Sequence, residues 1–264
     1  MLTAVKNQIK VIFLSIKYAL EREMLNKVTF FSNIIFMILN NACFIVQWII
    51  LYSLKENVGG YSFKQVLLLW GLAAGVYGVS HFFFKEVFEL TEIIHSGKLD
   101  TYLIQPKNIL LSVITSSVEV SAIGDMLYGL IMLVLFGFSI KNFLLFTIFS
   151  ITGGFIIASI AIIFASLTFW FGRVEIIANT VNSLMTNFAT YPEGIFKGFI
   201  KIIFYTLIPI GFANYLPIQI ITEFHMSTFL LVIGVAIILV SFAFFIFYKG
   251  LKKYSSSNLM NVRI

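Results

Sequence analysis

Few residues in this chain have the type and spacing to do chemistry. His81, His95 and His225 share no metal-ligand spacing, so they read as single interfacial or packed side chains. The one cysteine, Cys43, lies inside an apolar run and can build no disulfide framework. A phosphate-binding loop requires G-x-x-x-x-G-K-[ST]. The single Gly-Lys pair, Gly97-Lys98, has Glu92 where the first glycine belongs and Leu99 where the hydroxyl belongs, which closes that route to ATP. H-E-x-x-H and G-x-S-x-G motifs are missing, and so is a close carboxylate pair in a polar loop.

Two carboxylates, Glu119 and Asp125, fall inside an apolar stretch. Each would cost about 2.5–3.5 kcal/mol at the centre of a membrane helix facing lipid, so each must face protein, water or a headgroup. Six residues correspond to about 600° of helical rotation, so the two do not share a face. Two roles stay open. Glu119 can sit near the inner interface paired with Arg173 while Asp125 caps a packed polar contact, or the two can line a substrate or proton path.

The elements that position these residues are membrane helices. Hydrophobic residues make up 59% of the 264 and charged ones 11%, against about 45–50% and 25% in soluble domains. The expected fold is an all-α integral membrane protein in one transmembrane domain spanning 1–264, with no room for a separate soluble domain. Val5, Ile9, Ile12, Phe13, Ile16 and Leu20 recur at helical spacing, with Lys6, Lys10 and Lys17 on other faces. Residues 1–27 therefore read as an amphipathic helix in the membrane interface, with a soluble docking helix as the alternative.

Apolar runs at 30–54, 65–84, 109–138, 143–170 and 226–248 are long enough to span, and 174–190 is a shorter, more polar candidate carrying Asn179, Asn182 and Asn187. The run at 198–212 is interrupted by Pro209. Charge decides how it is used. With six spans and a cytoplasmic N-terminus, 13 of the 18 Lys and Arg fall on the cytoplasmic side, whereas a seventh span would put the basic 249–264 tail outside. Residues 192–222 then form an external re-entrant element, with YPEG at 191–194 breaking the fifth span and NYLP at 214–217 breaking the re-entrant helix. Both termini are expected in the cytoplasm of a multi-pass cell-membrane protein.

One polar segment, EIIHSGKLDTYLIQPKN at 92–108, lies in the cytoplasmic loop 85–108 on this reading. Val87, Leu90, Ile93 and Ile94 recur at helical spacing, with Glu86, Glu89 and Glu92 on the other faces. Gly97 suits a left-handed cap, after which Lys98 to Pro106 reads as an extended or turn segment. The small residues of GLAAGVYG (71–78) and GGFIIASIAIIFA (153–165) suit close helix packing, within the chain in preference to a dimer interface. The basic residues lack aromatic interleaving, so the +6 charge reads as topology and anionic-lipid contact, with no nucleic acid.

The amphipathic N-terminal helix, six spans, SGKLDTYLIQPKN, YPEGIFKGFIKIIFYTLIPIGFANYLP and the terminal YKGLKKYSSSN together resemble the type-2 ABC transporter permeases, in the branch of short six-span subunits that work with a separate ATPase. Gln105 stands where many relatives carry a basic residue, and Glu193-Gly194 where apolar residues usually follow Tyr-Pro.

The resemblance implies an exporter permease of the bacterial kind, not an enzyme. It would bind no cofactor itself, with ATP and Mg held by a cytoplasmic ATPase partner. A second permease, identical or paralogous, would complete the path for drugs, lipids or peptides. Glu86, Glu89, Glu92, Gly97, Lys98, Asp100 and Pro106 would receive the ATPase's motion. Tyr191, Pro192, Pro209 and Pro217 would shape the external cap. The alternative is a stand-alone secondary transporter, for which only Glu119 and Asp125 speak and against which the lack of internal symmetry weighs.

Overall fold

A computed structural model describes residues 2–255 as an assembly of helices, and among these the only β pairing is an isolated Val58–Tyr61 bridge. In chain order the helices are α1 Leu2–Glu23, α2 Lys27–Leu54, α3 Phe63–Phe88, α4 Leu90–His95, α5 Asp100–Leu103, α6 Ile109–Ile114 and α7 Ser121–Gly137. They continue as α8 Ile140–Ser166, α9 Thr168–Phe171, α10 Glu175–Ala189, α11 Phe199–Ile203, α12 Leu216–Thr222 and α13 Met226–Leu251. Residues 256–264 of the expected tail, Arg263 among them, lie outside the described residues, as does Met1.

Among the described residues, four stretches are long and apolar enough to cross a membrane: α2, Phe63–His95, Ile140–Phe171 and α13. The 17-residue α7 is a shorter apolar helix. α3 and α8 are mostly buried within the chain, while α2 and α13 expose most of their surface. Both small-residue stripes pack inside the chain. A Cβ on Gly129 of α7 would come within 2.5 Å of the Gly71 carbonyl of α3, and one on Gly154 of α8 within 2.7 Å of Val79. Glycine at these crossings lets the backbones touch.

α1 carries three faces. Ala19 is buried, with Gln8 and Ser15 half-buried beside the chain, Ile9 and Phe13 are exposed about a third of a turn away, and Lys6, Lys10 and Lys17 occupy the remainder. Ser15 Oγ donates to the Thr115 carbonyl at 2.7 Å, and Gln8 Oε1 accepts from the Asn108 amide at 3.3 Å. The apolar stripe read from the sequence is thus divided: Ile9 and Phe13 stay exposed, while Ile12, Ile16 and Leu20 are half-buried, with Leu20 packed against Phe30, Ile34 and Val120.

Three segments differ from their expected shapes. The run 109–138 is not one helix, because 115–120 separates α6 from α7. There Thr115 and Ser116 turn their hydroxyls onto the Leu111 and Val113 carbonyls at 2.8 Å each, which favours local turns over helix propagation. Lys98–Pro106 is not extended, since α5 adds a helical turn within it. NYLP does not break its helix. A π-helical turn at Gly211–Tyr215, in which the Leu216 amide reaches Gly211 O, runs directly into α12 with Pro217 in its first turn.

Candidate functional site

Asp125 lies on the first turns of α7, where the helix meets α2. Gly124 brings them together, since a Cβ there would come within 2.5 Å of the Ile34 carbonyl. At this approach Asn41 Nδ2 donates to Asp125 Oδ1 at 2.6 Å and also to the Met37 carbonyl at 3.1 Å. Asp125 is 4% exposed and its Oδ2 has no hydrogen-bond partner. The carboxylate lines a cavity of ≈ 360 Å³ between α2, α3 and α10, with Phe44, Trp70, Tyr77 and Tyr191 around it. Asn214, 1% exposed with an unpartnered Nδ2, lines it too. No lining side chain is basic.

Two polar stripes flank this cavity. On α2, Asn33, Asn40 and Gln47 recur every seven residues and all are exposed. On α10, Asn179, Ser183 and Thr186 recur at i, i+4 and i+7, again exposed. Asn40, Gln47, Thr186 and Asn187 reach the cavity itself.

Glu119 stands apart from Asp125. Its partner is Lys85, at 2.9 Å, with Ser121 Oγ donating at 3.0 Å. The expected pairing with Arg173 does not form. Arg173 instead lies 3.8 Å from Glu92 and 3.9 Å from Glu175, because the Gly172 turn (φ +72°) carries it to the start of α10, beside α4. α3 ends next to the 115–120 break, which delivers Lys85 to Glu119 and Glu86 to Ser117.

The loop after α3 is built on a small core. Val87, Leu90, Ile93 and Ile94, the four residues picked out by helical spacing, are each at most 5% exposed and pack with Leu110, Ala161 and Phe247. Gly97 takes φ +78°, and beyond it the Leu99 amide returns to the Ile93 carbonyl at 3.2 Å. The three glutamates share a groove of ≈ 300 Å³ with Lys98 and Tyr102, yet they are not equivalent. Glu86 accepts from Ser117 Oγ at 2.5 Å, Glu92 faces Arg173, and Glu89 is exposed. Asp100 accepts from Tyr254 Oη at 2.9 Å, and this bond and burial raise the Tyr254 pKa. Pro106 is exposed beside Asn7 and Gln8 of α1.

Residues 191–222 enclose the other departure from the resembled pattern. Glu193 is 6% exposed and holds Lys201 at 2.8 Å, Tyr205 Oη at 2.9 Å and Gln219 Nε2 at 3.3 Å. Gly194 packs on the Gly59 carbonyl so closely that a methyl would collide with it. Gly59 and Gly60, at φ +58° and +82°, turn the chain between α2 and α3 and so meet it. Burial and the Glu193 carboxylate push the Tyr61 hydroxyl up to about 12. Pro192, Pro209 and Pro217 are buried, and the Tyr191 ring lies 5.8 Å from that of Trp48.

Sequence reasoning overlooked Asn41, Lys85 and Tyr254. A lone amide in an apolar run is a legible signal for Asn41. The seven-residue recurrence of Asn33, Asn40 and Gln47 was equally legible. Nothing local marks Tyr254 as a partner of Asp100.

Neither the curated proteins nor the solved structures include a match to the chain. The sequence matches the family described as ABC-2 family transporter protein over residues 15–258, nearly the whole chain. With the apolar helices and the loop geometry above, that match places this chain in the ABC-2 family of transporter proteins.

Proposed function

We propose that this chain is the permease subunit of an ATP-driven exporter, pairs with a second permease, and is powered by a separate cytoplasmic ATPase. One observation carries the reading. Two helices, the apolar α2 and the shorter, more polar α10, expose amide and hydroxyl stripes that converge on the Asp125 cavity. Polar side chains on spanning helices face protein or a water-filled path, because lipid offers them no hydrogen bonds. A second copy set against these stripes would enclose a polar route between the subunits.

Six crossings fit this route. α7 and α10 rise only about 26 and 22 Å, and residues 109–120 and 191–222 make up the remaining depth. Thirteen basic residues of 18 support cytoplasmic termini. The groove of Glu86, Glu89 and Glu92 then faces the cytoplasm and offers an acidic surface to basic residues of the ATPase. Because α4 and α6 share one core with α8 and α13, a push on α4 reaches the spans as a rigid-body motion. α1, with its lysines and exposed Ile9 and Phe13, lies at the inner membrane surface against anionic lipids.

The test is to co-express the chain with an ATPase encoded beside it, purify through a tag on the permease, and measure ATP hydrolysis in liposomes. Co-purification with vanadate-sensitive hydrolysis is expected. A permease that recovers no ATPase, or one without effect on its hydrolysis, refutes the reading.

A further inference from the structure

We infer that the Asp125 cavity is a binding site for an organic ammonium ion, with the carboxylate as counter-charge and Phe44, Trp70, Tyr77 and Tyr191 as the aromatic wall. The inference rests on the permease reading for its location in a transport path, and it adds the chemical class of the ligand.

Three observations converge. First, Asp125 is half-satisfied: Asn41 takes Oδ1, while Oδ2 is unpartnered at 4% exposure. A buried acceptor left without a donor is costly, and a buried carboxylate more so, unless an occupant supplies the donor or the positive charge. Second, no described residue around the cavity supplies such a charge. The cavity has no basic lining residue, and Lys85 of the neighbouring α3 is engaged by Glu119 at 2.9 Å. Third, four aromatic rings line the same space, with Phe44 stacked on Trp70 at 5.3 Å between centroids. Aromatic faces beside a carboxylate attract alkylated ammonium groups through the ring quadrupole, and they tolerate the methyl groups that a hydrated lysine-like amine lacks.

The size agrees. A volume of ≈ 360 Å³ lies at the lower end of the ~300–1,000 Å³ typical of small-molecule sites. The exposed amides of Asn40, Gln47 and Asn187 and the buried amide of Asn214 suit a polar tail on the ligand. An anionic ligand would meet Asp125 with no compensating cation, and a purely apolar one would strand both Oδ2 and the Asn214 amide.

The experiment uses a matched pair of probes, choline and its neutral carbon isostere 3,3-dimethylbutan-1-ol, whose shapes agree and whose charges differ. Equilibrium dialysis with radiolabelled choline, competed by each probe, is run on the detergent-purified permease with its ATPase. Saturable choline binding, with a preference of tenfold or more over the alcohol, is expected. Asp125→Asn should bring that preference close to one, Asp125→Glu should retain most of it, and Phe44→Leu should weaken choline severalfold. Phe44 is 44% exposed, so its variant tests the wall even if Asp125→Asn does not fold. No saturable choline binding, equal binding of the two probes, or a preference that survives Asp125→Asn overturns the inference. Co-purified ATPase with no cation preference overturns the ligand class alone. A cation preference without ATPase partnership supports the site and refutes the permease reading.

Discussion

Glu193 and Lys201 meet at 2.8 Å although their exposures are opposite, the side chain of Glu193 being 8% exposed and that of Lys201 55%. The lysine brings its charge from the surface to a carboxylate that Tyr205 and Gln219 already hold. Removing the lysine alone leaves a buried carboxylate with only neutral donors. Lys201→Met should therefore destabilise by about 1–3 kcal/mol, read as a lower thermal midpoint in detergent. Glu193→Gln combined with Lys201→Met should regain most of that loss. Equal loss in the single and double variants would show that Glu193 is not the group at stake.

The three glutamates of the acidic groove should separate by experiment. Glu89 is exposed, so Glu89→Lys should leave the stability within about 0.5 kcal/mol of wild type, with no resolved shift in thermal midpoint, while weakening ATPase recovery several-fold. Glu86 accepts from Ser117 and braces α3 against the 115–120 break. Glu86→Lys should lower stability as well as coupling. If Glu89→Lys recovers ATPase normally, the groove is not its docking surface.

Helix crossing at glycine predicts a sharp contrast between two positions. Gly129→Ala would bring a methyl within 2.5 Å of the Gly71 carbonyl, a backbone atom that cannot rotate away. Overpacking of this kind costs about 1–3 kcal/mol or more, and loss of monodisperse protein in size-exclusion chromatography is expected. Gly234→Ala meets nothing within 4 Å. It should be neutral, or stabilising by a few tenths to about 1 kcal/mol through helix propensity.

Pairing of permeases across the polar stripes is open to cross-linking. In a Cys43→Ser background, Asn40→Cys on α2 should form an intersubunit disulfide on mild oxidation in membranes. Ile238→Cys, on the exposed face of α13, should not. The reverse pattern would move the subunit contact to α13 and leave the α2 stripe unexplained.

The sequence was most informative where a local rule sufficed. Period-3.6 spacing picks out Val87, Leu90, Ile93 and Ile94, and all four are buried in one core although Glu89 divides them between α3 and α4. Gly97 was placed at a left-handed cap, and it has φ +78°. The Thr115–Val120 break escaped notice because its flanks are as apolar as a continuous span, and because the hydroxyls that unwind it act through hydrogen bonds that hydropathy does not register.

By itself the sequence determined a membrane protein of mostly apolar helices, the family's loop pattern, and the left-handed glycine at Gly97. These follow from composition, periodicity and backbone sterics, which act over a few residues. Only the tertiary structure decided who meets whom. Asn41 reaches Asp125 across 84 residues because Gly124 lets two helices touch, Lys85 displaces Arg173 as the partner of Glu119, and buried Glu193 accepts from Tyr205 and Gln219, 12 and 26 positions away. Pairing of that kind depends on helix crossings set by packing, and a linear pattern of apolar and polar residues does not specify which crossing brings a buried carboxylate to its partner.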